Sequence, residues 1–202
     1  MPAGTRKATC ADVDQLVRSL ACAFADDPLV NWIVRQDNKR SQAFATLFRT
    51  CLCALSLPHG QVLTTDDCVG GALWYPPGTG KITRGRQILL LPAMIRGAGF
   101  RGIGRLIHFM DTLDRARPKE RHYYLQCLGV APPHQRKGIG TALMRPVLDR
   151  CDREGCGAYL ESSKEANVGY YERFGFVVTG EIRLGRGAPP IWPMWRAAQS
   201  SA

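Results

Sequence analysis

The residues from Leu128 to Leu143 combine an apolar strand pattern with glycines and basic side chains in a spacing that suits anion binding. Gly138 and Gly140 stand at the predicted start of a helix, where the first backbone N–H groups have no partner within the helix. Those N–H groups and the helix dipole attract negative charge, and glycine lets a phosphate approach the backbone. Arg136 and Lys137 add positive charge. The segment therefore predicts an anion site, with a pyrophosphate as the expected anion.

An ordinary strand-to-helix turn with solvated charges is the alternative, and a bare Gly-x-Gly before a helix would favour it. The complete run changes that balance. Gln-Arg-Lys-Gly-Ile-Gly, placed after a Leu-Gly-Val strand, resembles the coenzyme A-binding motif of the GNAT superfamily of N-acetyltransferases. In that motif, Gln/Arg-x-x-Gly-x-Gly/Ala, the defined positions fall on Gln135, Gly138 and Gly140.

A second motif lies downstream, at residues 167–176, where Asn-Val-Gly-Tyr-Tyr-Glu-Arg-Phe-Gly-Phe is similar to the superfamily's Tyr-Glu-x-x-Gly-Phe signature. Within the superfamily, the likeness is greatest to the puromycin N-acetyltransferases. It is strong over residues 117–184, partial over 9–30 and faint over 35–115. The segments that carry it include Arg117-Pro118-Lys119-Glu120, His134-Gln135, Leu160-Glu161 and Tyr171-Glu172-Arg173.

The resemblance implies an α/β fold, the GNAT acyl-CoA N-acyltransferase fold, with a central, mostly antiparallel sheet that splays apart between its fourth and fifth strands. Acetyl-CoA is the implied co-substrate, and no metal is implied. The pantetheine arm would lie in the gap and the pyrophosphate on the glycine loop. The coenzyme-binding residues implied are Leu128, Gly129, Val130, Gln135, Arg136, Lys137, Gly138, Ile139, Gly140, Thr141, Asn167 and Tyr171.

Two residues are the implied catalytic groups. Tyr171 matches the general acid that protonates the departing thiolate, although a tyrosine there could also serve the core. The fourth strand carries no carboxylate, so Glu161 is the candidate base, with a supporting carboxylate as an equal alternative. A backbone N–H near Leu128 would stabilise the oxyanion. Cys127 would need a histidine base to act as a nucleophile, and direct transfer is therefore the expected mechanism.

The acceptor is expected to touch Asp26, Asp27, Trp32 and Trp74, although helix capping and core packing also explain these residues. About 10–15% of an α-amino group with a pKa near 7.8 is neutral at pH 7, against about 0.04% of a lysine amine. Without a strong base, an aminoacyl α-amine such as that of a puromycin-like aminonucleoside is the easier acceptor.

The elements that must position these residues follow from periodicity and from glycine and proline. Helices are predicted at 13–26, 41–55, 79–114, 138–154 and 165–174, with the third broken by Pro92 and four glycines and the fourth kinked by Pro146. Strands are predicted at 6–9, 61–65, 69–75, 123–130, 158–162, 176–184 and 191–196. One domain over residues 1–202 is the expected organisation.

Composition bounds the remaining possibilities. The first residues of the sequence precede a polar helix pattern and not an apolar signal core, and no apolar run approaches the length needed to span a bilayer. These features predict a cytoplasmic protein, in which the eight cysteines would be reduced. The net charge of +10 suits an anionic cofactor, nucleic acid or solubility alone. Residues 79–110 hold six basic side chains and no acidic ones. A literal G-x-G-x-x-G at 97–102 lacks the flanking strands of a dinucleotide site.

The predicted function is acetyl-CoA-dependent N-acetylation of a primary amine on a small molecule, with antibiotic resistance as a possible role. Acetylation of protein N-termini or lysines is the alternative within the same fold. A non-catalytic regulator that binds coenzyme A or nucleic acid is the alternative from another class. The expected state is a monomer or homodimer without a membrane partner, and nucleic acid is disfavoured because no reading helix or aromatic platform accompanies the basic residues.

Overall fold

The computed structural model describes residues 4–59, 61–79, 84–100, 102–185 and 187–199. The strands are β1 Thr5–Lys7, β2 Val62–Thr65, β3 Gly70–Tyr75, β4 His122–Val130, β5 Gly157–Ser162, β6 Val177–Val178 and β7 Trp192–Arg196. The helices are α1 Val13–Ala23, α2 Pro28–Ile33, α3 Arg40–Arg49, α4 Arg84–Ala98, α5 Ile103–Ala116, α6 Ile139–Arg153 and α7 Val168–Glu172.

The seven strands form one sheet in the order β1-β2-β3-β4-β5-β7-β6. Every neighbouring pair is antiparallel except β4 and β5, which are parallel. The β4–β5 pairing begins at His122 and Gly157 and ends at Leu125 and Leu160, although both strands continue. The two strands therefore part at this point, which confirms the predicted mixed sheet that opens between its fourth and fifth strands.

Helices cover both faces of the sheet. On one face, α6 packs into a core cluster with β3, β4 and β5. The side chains that α6 buries are Ile139, Leu143, Met144, Val147, Leu148 and Cys151, which is the apolar face expected from their spacing. On the other face, α1 and α3 pack against β2 and β3. The sheet is thus held rigidly around the point where β4 and β5 separate.

A β-bulge in β4 lies beside that point. Leu73 pairs with Cys127 but Trp74 pairs with Leu125, so Gln126 is an extra residue without a partner on β3. The Gln126 Oε1 accepts hydrogen bonds from Tyr75 Oη at 3.1 Å and Ser56 Oγ at 3.3 Å. Because the bulge interrupts the alternation of side chains, residues 124 and 127 lie on the same face of the sheet.

Three predicted elements differ from the structure. The strand expected at 176–184 is reduced to β6 and one bridge between Ile182 and Ile191. Pro193 of β7 explains this, because its carbonyl accepts from the Thr179 N–H but it has no N–H to donate in return. The helix expected at 41–55 is α3 continued by a π-helical turn, Thr50–Ser56. The helix α4 continues through Pro92, contrary to the predicted break.

Within the basic stretch at 79–110, the described residues include all of α4 and the first part of α5. Of its six basic residues, Lys81 and Arg101 lie outside the described residues, and the structure does not describe the side chains of Arg84 and Arg86. Among the helices that the structure describes, none has the length and apolar character needed to span a bilayer.

Candidate active site

The loop between β4 and α6 is stabilised by a hydrogen bond and by backbone turns within the loop itself. A 3₁₀ turn, Pro132–His134, leads from β4 to Gln135, whose side-chain amide donates to the Val130 carbonyl at 2.9 Å. Arg136 and Gly138 both have left-handed backbone conformations, with φ values of 59° and 78°. Gly138 is the N-cap of α6. The loop therefore turns sharply and leaves the N-terminus of α6 open on its outer side.

The three glycines of this segment have different tasks. A Cβ on Gly138 would meet no atom within 4 Å, so the space above it is free for a ligand. A Cβ on Gly140 would lie 2.6 Å from the Tyr170 hydroxyl, and one on Gly129 would lie 2.8 Å from Leu20 of α1. Gly129 therefore permits helix packing and Gly140 makes room for Tyr170, whereas only Gly138 keeps open space beside the helix terminus.

The loop fits the diphosphate of a coenzyme. The N-terminal N–H groups of α6 have no partners within the helix, and Arg136 and Lys137 are exposed beside them. The Ile139 side chain is buried in the core and anchors the helix start, and Thr141 follows one turn in. Asn167, the N-cap of α7, makes no capping bond with its side chain and lines the cavity described next.

A cavity of about 260 Å³ lies where β4 and β5 part. The sheet contributes Tyr124, Leu125, Gln126, Cys127, Leu128, Leu160, Glu161 and Ser162. The helices α2, α3 and α5 contribute Leu29, Val30, Ile33, Leu47, Phe48, Phe109, Met110, Asp111, Leu113 and Asp114. Tyr171 of α7 lines it as well. The cavity is thus an apolar and aromatic pocket with a few ionisable groups, and it adjoins the predicted coenzyme gap at Leu128.

Glu161 is the carboxylate of β5 that faces this cavity. Its Oε1 is buried and has no hydrogen-bond partner among the described residues. Burial raises the pKa of Glu161 to about 7, against smaller lowering effects from Tyr124 and Arg117. A carboxylate with a pKa near neutrality can take up and release a proton under physiological conditions, as a general base must.

Tyr171 is a buried phenol on α7 that lines the same cavity. Burial raises the pKa of Tyr171 above its ordinary value, so the hydroxyl keeps its proton at neutral pH and can act as an acid. Burial also raises the pKa of the Cys127 thiol well above normal. No histidine is among the residues that line the described cavity. These features argue against Cys127 as a nucleophile.

The residues predicted to touch the acceptor separate into two groups. Asp27 lines the cavity, but it also caps α2 through the Val30 N–H at 2.9 Å and accepts a bond from Ser163 at 2.5 Å. Asp26 is exposed and pairs with Lys164 at 2.8 Å, outside the cavity lining.

The two tryptophans do not line the cavity. Trp32 packs beside α5, with the Arg105 guanidinium 5.4 Å from its ring centroid. The expectation that Trp74 binds the acceptor is wrong, because its side chain is fully buried in the cluster beneath α6, on the opposite face of β3 from Tyr75. Trp74 therefore belongs to the core.

Sequence reasoning missed the polar end of the cavity. Arg117 ends α5, and Pro118 accounts for this end because the residue before a proline avoids the helical conformation. Its guanidinium lies 4.1 Å from the ring centroid of Tyr124. The sequence shows an arginine before a proline, but only the fold of α5 over the sheet brings that side chain into the cavity.

A mixed sheet that opens between parallel strands, with a glycine loop at a helix N-terminus beside the opening, defines a class of acyltransferases that use coenzyme A thioesters. The acetyltransferase (GNAT) family matches residues 62–176. The chain therefore belongs to the GNAT family, and it is an acetyl-CoA-dependent N-acetyltransferase. Among the described residues, no group of histidine, cysteine and acidic side chains could hold a metal ion.

Individual relatives agree with this assignment. The chain is 30% identical over 193 residues to an uncharacterised N-acetyltransferase of Schizosaccharomyces pombe, which covers 90% of this chain and 77% of that protein. It is 33% identical over 88 residues to N-alpha-acetyltransferase 50 of Danio rerio, over 38% of this chain and 52% of that one. The crystal structure of a histone acetyltransferase HPA2 and related acetyltransferase from Corynebacterium glutamicum has the same fold, with a TM-score of 0.75, 24% identity and full coverage of both chains.

Proposed function

We propose that the chain transfers the acetyl group of acetyl-CoA directly to the primary amine of a small molecule, and that an aminoacyl α-amine is the preferred acceptor. One observation carries the proposal: Glu161 and Tyr171 line the same cavity at the opening between β4 and β5. A cavity of about 260 Å³ has the size of a small-molecule site, which favours a small acceptor over an extended polypeptide.

The roles of the residues follow from their ionisation. Acetyl-CoA supplies the acetyl group as a thioester when it is bound. The loop from Gln135 to Thr141 would hold its diphosphate, and the backbone near Leu128 would lie beside the reacting carbonyl. Glu161 removes a proton from the acceptor amine, because its pKa near 7 leaves a large ionised fraction. Tyr171, which stays protonated, donates a proton to the departing sulfur.

Two measurements test this proposal. Calorimetry with acetyl-CoA should show binding, and replacement of Lys137 by Glu should weaken it, because a negative charge would then face the diphosphate. Release of free thiol from acetyl-CoA should require an amine. A panel of α-amino amides, aryl amines and lysine peptides should show the α-amines reacting fastest. A lysine peptide that reacts faster than every α-amine would contradict the choice of acceptor.

Acetylation of protein N-termini is the second candidate. The partial likeness to N-alpha-acetyltransferase 50 supports it, although the likeness spans only 38% of this chain. The two candidates separate in the same panel. A protein N-terminal enzyme should acetylate peptides in preference to single amino acid amides, with rates that depend on residues beyond the first.

Several further proposals belong to the whole chain. We infer that residues 1–202 form one domain and that the protein is a cytoplasmic monomer or homodimer. We also infer that a puromycin-like aminonucleoside is a suitable acceptor, and its acetylation would give the protein a role in antibiotic resistance. The first test is whether puromycin causes release of free thiol from acetyl-CoA. Tyr171→Phe distinguishes an enzyme from a regulator that binds coenzyme A without turnover. An enzyme should lose kcat and keep its affinity for coenzyme A, whereas the regulator should show no thiol release before or after the change.

A further inference from the structure

Arg117 is a largely buried cation, and two of its three guanidinium nitrogens make no hydrogen bond among the described residues. Its side chain is 11% exposed, and its Nε and Nη1 have no hydrogen-bond partner among the described residues. The nearest described carboxylate is Asp114, whose Oδ1 lies 3.9 Å from Nη1 and whose side chain is 50% exposed. An ion pair that long and that exposed does not satisfy a guanidinium.

The guanidinium is held in place by aromatic rings. It lies over the face of Tyr124 at 4.1 Å, and the Tyr124 ring stacks on Tyr75 with centroids 5.9 Å apart and an interplanar angle of 15°. Cation–π contact orients a guanidinium and leaves its in-plane N–H groups free. Arg117 also lines the cavity, so its guanidinium lies beside a molecule bound there.

A buried donor without a partner is unfavourable, and this holds more strongly for a charged group. Such an arrangement persists in a binding site when the ligand supplies the missing acceptor. On the same wall of the cavity, Glu161 has a buried oxygen without a partner. The two side chains form no ion pair with each other among the described residues, so the cavity presents a guanidinium and a carboxyl group to the acceptor.

We propose that Arg117 selects acceptors that carry an acyl oxygen beside the reactive amine, binding that oxygen while Glu161 faces the amine. The oxygen is either the carbonyl of an aminoacyl amide or ester, or the carboxylate of a free amino acid. Both present an acceptor to the N–H groups of Arg117, and a plain aryl alkylamine presents none. The inference rests on the proposed function, since it names the class of amine that the same cavity accepts.

Binding separates these classes without requiring turnover. The affinities of phenylalaninamide, phenylalanine and 2-phenylethylamine, which share one aromatic side chain, are measured by calorimetry on the protein saturated with coenzyme A. The wild type should bind at least one of the first two at least about tenfold more tightly than 2-phenylethylamine, because one charge-assisted hydrogen bond is gained. The amide and the amino acid distinguish carbonyl from carboxylate recognition.

Two variants and a control complete the test. Arg117→Met should remove the preference for the acyl oxygen while 2-phenylethylamine binds as before, and Arg117→Lys, which keeps the charge, should retain part of it. Arg115→Met, which removes an exposed arginine of α5 outside the cavity lining, should keep the full preference. Thermal unfolding with and without coenzyme A verifies that each variant is folded, and if Arg117→Met does not fold, Arg117→Lys carries the test.

The outcomes distinguish this inference from the proposed function. If the wild type binds none of the three compounds, or binds 2-phenylethylamine as tightly as the other two, the inference is wrong. The same holds if the Arg117 variants weaken all three equally. If 2-phenylethylamine released thiol from acetyl-CoA as fast as phenylalaninamide does, the acetyltransferase activity would stand and the proposed selectivity would be wrong. If binding depends on Arg117 but no thiol is released from acetyl-CoA, the selectivity would stand and the proposed acetyltransferase reaction would be wrong.

Discussion

Replacement of Glu161 by Gln should separate the catalytic role of this residue from its effect on stability, and both effects have a calculable pH dependence. With a pKa of about 7, roughly a tenth of Glu161 is ionised at pH 6 and roughly nine tenths at pH 8. The ratio of wild-type kcat to that of Glu161→Gln should therefore rise about tenfold between these pH values and then level off. The titration of the acceptor amine is common to both proteins and cancels in the ratio.

The same raised pKa makes the wild type less stable as the pH rises, although the rate ratio increases over the same range. The folded-state pKa of about 7 lies above the ordinary value of 4.5, so between these values the native state binds more protons than the unfolded state. Stability contributed by the protonated carboxyl is present at low pH and is lost as pH rises through this window. From pH 5 to pH 8, the wild type should lose roughly 2–3 kcal/mol relative to Glu161→Gln.

Urea denaturation at a series of pH values measures this difference, and stopped assays of thiol release measure the rate ratio. The exposed Glu181→Gln is the control and should follow the wild type in both. A rate ratio that stays constant from pH 6 to pH 8 would refute the assignment of Glu161 as base. A difference in stability that stays constant would show that the buried carboxyl is ionised, or solvated, in the folded protein.

Three other predictions address the acid, the glycine loop and the C-terminal strand. Tyr171→Phe should lower kcat by about 10²-fold or more while the acetyl-CoA affinity measured by calorimetry changes less than about twofold. Gly140→Ala should cost about 1–3 kcal/mol in urea unfolding, because the new methyl group would meet the Tyr170 hydroxyl at 2.6 Å, and the added change Tyr170→Leu should restore most of the loss. Asp152→Ala should lower the free energy of unfolding in urea by about 3 kcal/mol or more, because the guanidinium of Arg196, a side chain that is 4% exposed, would lose its hydrogen bonds of 2.7 and 2.8 Å to the Asp152 carboxylate. The control Asp149→Ala, on the exposed face of α6, should have little effect.

The predictable parts of this molecule are those that depend on local periodicity and local chemistry. The apolar face of α6 and the strand β4 could be predicted from the sequence because the spacing of their apolar side chains identifies them. The glycine loop could be predicted because glycines at a helix start let a phosphate approach the backbone, and the structure adds that Gly138 has a left-handed conformation. The general acid Tyr171 was proposed by resemblance to the family, and its burial in the cavity supports that role without testing it.

The unpredictable parts depend on strand pairing and on contacts distant in sequence. The bulge at Gln126 is a property of the register between β3 and β4, and it puts Tyr124 and Cys127 on one face. Trp74 and Tyr75 are neighbours in sequence on opposite faces of β3, so an aromatic pair gave no indication of which ring reaches the core. The truncation of β6 required knowing that Pro193 would lie opposite it.

The division of the cavity between two parts of the chain explains why its coenzyme side was easier to infer than its acceptor side. The family match covers residues 62–176, which include the loop after β4, Glu161 and Tyr171. The α2 and α3 side chains on the acceptor wall precede that match. Motifs therefore define the family and its coenzyme, whereas, on the proposals made above, acceptor choice depends on how those helices and Arg117 surround the cavity. Variation in these walls would change the acceptor without changing the coenzyme loop, so exchange of the α2–α3 segment between relatives should alter acceptor preference and leave acetyl-CoA affinity intact.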